Sequence, residues 1–420
     1  MPPDRAEDAI KYSLLRNKTV LGVSLASFFS DSGHEMATAA LPGFLRTLGA
    51  PAAALGAIEG VADGALSASK YVGGHVADRP GVERRRFAAA CYLVTGLGYG
   101  SFSLAGSWPF IAIGRASAWA ARGLRSPARD SLLAGAVPST HLGRAFGMER
   151  AGDSLGAIAG PLAAAVLIGT IGYRWLFAVS FLPAIGAALA ILLLAAEAPR
   201  VRAAAHETLA RSRDLLTSPG PYRRLLAGTG LFGMGNFSAT LLILRATDLL
   251  ARQGRSSVDA AAVAILLYTG HNAANAGAAY PAGILADRIG RRPVLVLGIA
   301  LFAVAAFLFA FGWVNIAVLA VLFVMVGASR ALVETGEGSY ASEILPDHVR
   351  GRGFGLLGLV DGIGDLVSSV VVGVLWTVTA PLWGFVFAGV LSSLGGGVLL
   401  VGSSRSSDIR EGRKSPGKGT

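Results

Sequence analysis

The sequence has little cysteine, little charge and none of the common enzyme motifs. Its one cysteine, Cys91, sits in an apolar run, which excludes an internal disulfide and leaves the redox compartment open. Histidine is scarce at six residues, and no clustered cysteine and histidine spacing suggests a metal centre; neither a metal nor another cofactor is expected. No Gly-x-x-x-x-Gly-Lys-Ser/Thr loop is present, which argues against an internal ATPase. Charged residues make up only 15% of the chain against 53% hydrophobic, with 56 glycines, too apolar and glycine-rich for an ordinary soluble protein. The net charge of +11 is spread over alternate loops instead of one patch with interleaved aromatics, so nucleic acid is not expected as a partner.

What the chain does contain is a duplication. One stretch runs Gly74-His-Val-Ala-Asp78-Arg79-Pro-Gly81, followed by Arg84, Arg85 and Arg86; another runs Gly283-Ile-Leu-Ala-Asp287-Arg288-Ile-Gly290, followed by Arg291 and Arg292. They lie 209 residues apart, about half the chain. Pro138 and Pro346, Gly143-Arg144 and Gly351-Arg352, Phe146-Gly147 and Phe354-Gly355, and Asp153 and Asp361 repeat at an offset of 208. Each copy closes a long apolar run with an acid, a glycine and arginines, as where a membrane helix exits on the cytoplasmic side. Two homologous halves in parallel are an architecture of secondary transporters.

The pattern Gly-x-x-x-Asp-Arg-x-Gly-Arg-Arg resembles the signature loop of the major facilitator superfamily, between helices 2 and 3, with its echo between helices 8 and 9. Here the second copy is the cleaner one, because Pro80 and the inserted Val82-Glu83 distort the first. The likeness covers nearly the whole chain. It implies an all-α integral membrane protein of twelve transmembrane helices in two pseudo-symmetric six-helix bundles, working as a monomer on a small-molecule substrate.

A hydrocarbon core takes about 20 apolar residues per helix, and the length accommodates twelve. The expected division is a polar tail over 1–18 without the features of a cleaved signal, a first bundle over 19–196, a basic linker over 197–222, a second bundle over 223–403 and a basic tail over 404–420. Helix 7 is predicted over 224–248 and helix 8 over 258–283. Loops on the signature side hold Arg84 to Arg86, Arg144, Arg200, Arg202, Arg211, Arg213, Arg288, Arg291, Arg292, Arg350 and Arg352; opposite loops hold little beyond Arg46, Arg174, Arg252 and Arg255. The positive-inside rule then places both termini in the cytoplasm, with the plasma membrane as the expected location. Trp108, Trp175, Trp313, Trp376 and Trp383 fall at the predicted outer helix ends, where amphipathic rings prefer the interface.

Charge is expensive in a bilayer, so its distribution shows which helices avoid lipid. Predicted helices 3, 6, 9 and 12 have essentially none in their cores. Helix 1 carries Asp31, His34 and Glu35; helix 2 Glu59, Asp63 and Lys70; helix 4 Arg115 and Arg122; helix 5 Glu149, Arg150 and Asp153. In the second half Arg245, His271, Arg330, Glu334, Glu337, Asp361 and Asp365 play the same part. The resemblance implies that helices 1, 4, 7 and 10 line a cavity and that 2, 5, 8 and 11 form the interface between halves.

Asp31 and Glu35, Glu59 and Asp63, Arg330 and Glu334, and Asp361 and Asp365 are each four apart and so share a helix face. Two carboxylates held close in a low-dielectric site resist double ionisation, so Asp31 with Glu35, or Glu59 with Asp63, could carry a coupling proton. Arg115 could hold an anionic substrate or neutralise those acids, and Trp119 could stack on a substrate ring or pack. His271 suits proton exchange chemically, yet beside Asn272 it also fits a packing role. Glu337 completes the candidate coupling or substrate set.

As the resemblance implies, Gly74, Asp78, Arg79, Gly81, Gly283, Asp287, Arg288, Gly290 and Arg291 form a conformational clasp. Arg122, Arg125, Arg129 and Asp130 are expected to pair with the signature acids. Asp153 and Asp361, matched in the two halves, are expected in an ion pair between halves or between helices, and with Arg122 and Asp365 they are placed at the contact between bundles. Gly152, Gly156 and Gly160 let backbones approach closely, and Pro161 then perturbs the helix. Gly156, Gly160 and Pro161 are placed at the same interbundle contact. This Gly-x-x-x-Gly-Pro stretch resembles the one typical of proton-coupled exporters, although alanines instead of a further glycine follow. The functional expectation is proton-coupled export of a small amphiphilic or drug-like compound. Uptake of an organic anion, and a membrane sensor that moves no solute, are the alternatives.

Overall fold

Helix boundaries follow from caps and prolines in the sequence. Asn17 caps the first helix, its Oδ1 accepting from the Thr19 and Val20 amides at 3.0 and 3.2 Å; Ser238, Ser256 and Asn315 cap later ones in the same way. Prolines open others at Trp108, Leu182, Pro221 and Pro381, where a missing N–H does no harm. The structure, a computed structural model, describes residues 16–79, 81–138, 141–197, 220–345 and 350–401. Pro80, Pro346, the arginines at 200, 202, 211 and 213, the side chains of Asp78, Arg350 and Arg352, and nearly all of the expected tails and linker lie outside the described residues.

The described residues form helices α1 (Lys18–Thr47), α2 (Ala52–Asp78), α3 (Arg84–Gly100), α4 (Trp108–Gly135), α5 (Leu142–Val179), α6 (Leu182–Leu194), α7 (Pro221–Gly233), α8 (Ala239–Ala251), α9 (Ser257–Ile289), α10 (Arg291–Ala310), α11 (Ile316–Ile344), α12 (Arg350–Val378) and α13 (Pro381–Leu400). They make twelve passages. Gly172, at φ +72°, bends the long α5, so that its last turns and α6 form the sixth passage. The predicted helix 7 is not continuous: residues 234–238 break it into α7 and α8, and Asn236 in the break turns its amide onto Asp365. The predicted helix 8 is longer than expected, because α9 continues through Asp287 and Arg288 to Ile289.

Six stretches of the described chain are long and apolar enough to cross a membrane by composition, the Leu142–Leu194 stretch holding two passages. Helices α1, α2, α4 and α9 have the length, at 27 to 33 residues, but not the uniform apolarity. These are the helices whose polar side chains meet other helices instead of lipid.

In the first bundle α1 packs on α5 and α6, and α4 on α2 and α3; in the second α11 packs on α9 and α10, and α13 on α10 and α7. Close approach requires glycine. A Cβ on Gly152, Gly156 or Gly160 would collide with the carbonyl oxygens of Ser24, Phe28 or Ser32 on α1. The stripe on α5 therefore packs inside the first bundle, not between bundles as expected from the sequence.

The two bundles meet through α2 against α12 and α5 against α9. At the end remote from the signature loops, Arg46 on α1 and Asp248 on α8 form an ion pair at 3.0 Å, and the Ala53 amide donates to Thr377 Oγ1 at 2.8 Å. Gly56 and Gly60 on α2 face the Ser369 and Leu366 carbonyls on α12. On the signature-loop side, a side chain built on Gly277, Gly283, Gly355 or Gly358 would meet nothing within 4 Å. The bundles are therefore tied together at the far end, whereas these glycines on the signature-loop side have free space beside them.

Candidate functional site between the bundles

Glu35 lies twelve residues from the far end of α1, about 18 Å along its axis and so near mid-membrane. At this depth and to either side of it lie most of the charges singled out in the sequence, paired differently from the expectation.

Arg115 is almost wholly enclosed. Its Nη2 donates to Glu59 Oε2 at 2.8 Å and its Nη1 to Thr38 Oγ1 at 2.8 Å, with 1% and 2% of the Arg115 and Glu59 side chains exposed. The same guanidinium lies 5.3 Å from the Trp119 ring centre and 5.7 Å from that of Tyr99. Trp119 therefore packs over an arginine, and against His34, whose Nδ1 is 2.6 Å from the Tyr99 hydroxyl.

Asp31 does not pair with Glu35. Arg122 takes it in a two-pronged contact, Nη1 to Oδ1 at 2.8 Å and Nη2 to Oδ2 at 3.1 Å, with the Asp153 carboxyl in hydrogen-bonding reach. Arg129 reaches Glu149 Oε1 at 2.6 Å and Ser27 Oγ at 3.2 Å, and also holds Asp130. Arg125 lies over the Tyr92 ring at 4.0 Å. These α4 arginines turn to α1, α5 and α3; the side chain of Asp78, the nearer signature acid with which they were expected to pair, lies outside the described residues. Arg122 and Asp153 correspondingly belong to the interior of the first bundle.

Glu35 takes a neutral partner from the opposite bundle. The Tyr268 hydroxyl on α9 donates to Glu35 Oε2 at 2.8 Å, while His34 Nε2 stands 3.6 Å from Oε1. Nothing in the sequence singled out Tyr268; its placement one turn before Asn272 on an interface helix was the available signal. His271, buried, stacks on Tyr268 at 5.5 Å. Asn272 Nδ2 donates to the Ala157 carbonyl of α5 at 2.7 Å. Pro161 explains that acceptor: residue 161 would normally supply the N–H for the carbonyl of residue 157, and proline has none. The proline leaves a free carbonyl, and the other bundle fills it.

In the second bundle Arg330 and Glu334 pair at 2.8 Å, both more than half exposed. Glu337 lies in hydrogen-bonding reach of Asp361, and Asp365 accepts from Asn236 Nδ2 at 3.1 Å. Asp361 therefore sits beside another acid of its own bundle instead of in an ion pair, and Asp365 is also tied within that bundle. Across the interface Asp63 lies within electrostatic range of Asp365. Arg122 and Arg330 are themselves 208 apart, a repeat match that sequence reading could have used.

Of the signature residues, Gly81 and Gly290 take positive φ, +89° and +96°, as their turns demand. Gly74 lies within α2, and Asp78 and Arg79 sit at that helix's end. Gly283, Asp287 and Arg288 lie on α9, the last two exposed; Arg291 reaches Glu343 on α11 at 3.4 Å. Among the described residues no group of three His, Cys, Asp or Glu side chains has the geometry to hold a metal ion.

Comparison with known proteins decides the family. The profile of the Major Facilitator Superfamily matches residues 23–251 and 256–419. The chain belongs to the Major Facilitator Superfamily. This facilitator is 26% identical to an uncharacterized MFS-type transporter of Methanocaldococcus jannaschii, over 91% of this chain and 94% of that one. A shorter stretch of 112 residues is 31% identical to the quinolone resistance protein NorA of Staphylococcus aureus, covering 27% of this chain and 28% of NorA. In fold, the facilitator is similar to the nucleoside transporter NupG, with a TM-score of 0.76 at 14% identity over 91% of this chain and 98% of that one. As a transporter of this superfamily it is a multi-pass membrane protein that takes a small-molecule substrate.

Proposed function

We propose that this facilitator is a proton-coupled secondary transporter that exports small amphiphilic cations by alternating access. The observation that carries the reading is how the charges within the membrane helices are paired. Arg115, Arg122 and Arg129 each have a carboxylate of their own, in Glu59, Asp31 and Glu149. Glu35 is held only by a phenol and a nearby imidazole. A carboxylate between the bundles whose hydrogen bond comes from a neutral phenol instead of an arginine suits a cation, and the enclosure of Arg115 argues against an organic anion as the substrate. The stretch shared with a quinolone resistance protein supports export of small organic compounds.

The coupling proton is assigned to the same acids. Glu35, or Asp31 with Asp153 beside it, takes up a proton as the cation leaves, so that one negative site serves two positive guests in turn. The signature-loop side faces the cytoplasm under the positive-inside rule, with both termini on that side of the plasma membrane. A monomer suffices.

The test uses purified protein in liposomes with an imposed pH gradient and an internal pH dye. Tetraphenylphosphonium should dissipate the gradient in wild-type vesicles and fail to do so with Glu35→Gln. If Glu35→Gln and Asp31→Asn both keep full pH-driven transport, another acid or another ion does the coupling. Binding of labelled cation without any proton movement would instead favour the sensor.

A further inference from the structure

Two hydrogen bonds cross between the bundles at mid-membrane, both donated by α9 and one helical turn apart, and their acceptors differ in kind. Asn272 Nδ2 reaches the Ala157 carbonyl at 2.7 Å. That acceptor is main chain, freed by Pro161, and no solute can take it away without breaking into α5. Tyr268 reaches the Glu35 carboxylate at 2.8 Å. That acceptor is a side-chain carboxylate at the contact between the bundles, which a solute can reach for without breaking into a helix.

We propose that Tyr268 is a latch released by the substrate: a cation arriving at Glu35 displaces the Tyr268 phenol and frees α9 from α1, while Asn272 on the proline-freed carbonyl stays as the pivot. The proposal rests on the cationic reading above. It deepens that reading by naming the contact through which binding reaches the bundle interface.

The surroundings of Glu35 support a competition. From α1 it is faced by Asp31 and His34, from α4 by Arg122, from α9 by Tyr268 and from α11 by Arg330. Both arginines are engaged elsewhere, Arg122 with Asp31 and Arg330 with Glu334. Among the described residues the phenol is therefore the one hydrogen-bond donor within normal bonding distance of the Glu35 carboxylate, and it is neutral. A cation brings charge that a phenol lacks, so it can replace Tyr268 at little penalty to Glu35. The displaced ring has a place to stay, since it already stacks on His271.

The consequence is a direct link from occupancy to movement. With the site empty, both hydrogen bonds hold α9 to the first bundle; with a cation bound, of these two only that of Asn272 remains. A ligand can shift a conformational equilibrium only through contacts that differ between the states, and this bond is such a contact.

The test compares wild type, Tyr268→Phe and Pro161→Ala in liposomes, with tetraphenylphosphonium as the probe. Tyr268→Phe keeps the ring and removes the competing donor. Its Kd for the probe should fall about tenfold, the weight of one hydrogen bond to a charged group, and turnover should fall while the KM improves. Pro161→Ala returns a helical N–H to the Ala157 carbonyl and displaces Asn272. It should lower turnover with the probe affinity unchanged, and it tests the pivot even if Tyr268→Phe proves unstable. Wild-type or weaker affinity in a folded Tyr268→Phe protein overturns the latch. Unaltered turnover in Pro161→Ala overturns the pivot. A Glu35→Gln protein that binds the probe as tightly as wild type overturns the cationic reading itself, a result distinct from the other two.

Discussion

Replacing Glu59 by glutamine separates a structural Arg115 from a substrate-binding one. In the structure the two charges stand 2.8 Å apart with about 1–2% of each side chain exposed. At an effective dielectric near 20, that separation corresponds to about 6 kcal/mol of Coulomb attraction. Most of it offsets the desolvation of the two ions, so the pair itself adds little net stability. Removing one partner is different: Glu59→Gln leaves the guanidinium buried among Thr38, Tyr99 and Trp119 with no carboxylate bonded to it, and the expected loss is about 3–5 kcal/mol. For a bundle of this size the thermal transition of purified protein in detergent should fall by on the order of 10 °C. The double variant Glu59→Leu with Arg115→Met removes both charges and should recover most of the loss. Static light scattering during a thermal ramp measures both, with transport of tetraphenylphosphonium as the second readout. The reasoning is refuted if Glu59→Gln is as stable as wild type. It is equally refuted if the double variant is stable and inactive, since Arg115 would then serve the substrate.

Three further outcomes are expected from the packing. Gly156→Val drives a branched side chain into the Phe28 carbonyl of α1 and should destabilise the first bundle by about 1–3 kcal/mol, whereas Gly283→Ala, with open space around it, should change stability by no more than about 0.5 kcal/mol in the same scan. Reversing Arg46 to Asp should open the far end more often, read as faster labelling of cysteines placed there in a background where Cys91 is buried; adding Asp248→Arg should restore the slow rate. The pair is partly exposed at 40% and 27%, so its loss should cost no more than about 1 kcal/mol in stability. Asp287→Asn should lower turnover more than probe affinity, and loss of affinity alone would count against a gate role for the signature loop.

Several features of the site were legible before any coordinates. The four-residue spacing of Arg330 and Glu334 is realised as an ion pair, and the glycines of α5 do mark close helix contact. The spacing of Asp31 and Glu35, by contrast, sets them on one side of α1 without making them partners. Each finds a stronger interaction on another helix, in Arg122 and Tyr268. Spacing along one helix fixes direction only to within a face, and the choice of partner depends on which neighbour presents a complementary group at the same depth. The break in the predicted helix 7 was missed for a related reason. Met234 to Ser238 carry no proline, and the stretch is held open by tertiary bonds from Asn236 to Asp365 and from the Ser238 amide to Ser369.

The sequence by itself determined the twelve passages, the two repeated halves, the turns at Gly81 and Gly290 and the division between lipid-facing and charge-bearing helices. Those follow from local rules: apolar length against bilayer thickness, the expense of charge in lipid, and backbone angles only glycine takes easily. Only the tertiary structure decided that Arg115 is closed off by Glu59, that Glu35 is left to a phenol from the other bundle, and that Pro161 serves Asn272. These partners lie 56, 233 and 111 residues apart in the chain, and no local preference links them. They meet because helix rotation and depth, set by glycine contacts throughout both bundles, bring each polar group to the one neighbour that can satisfy it away from water.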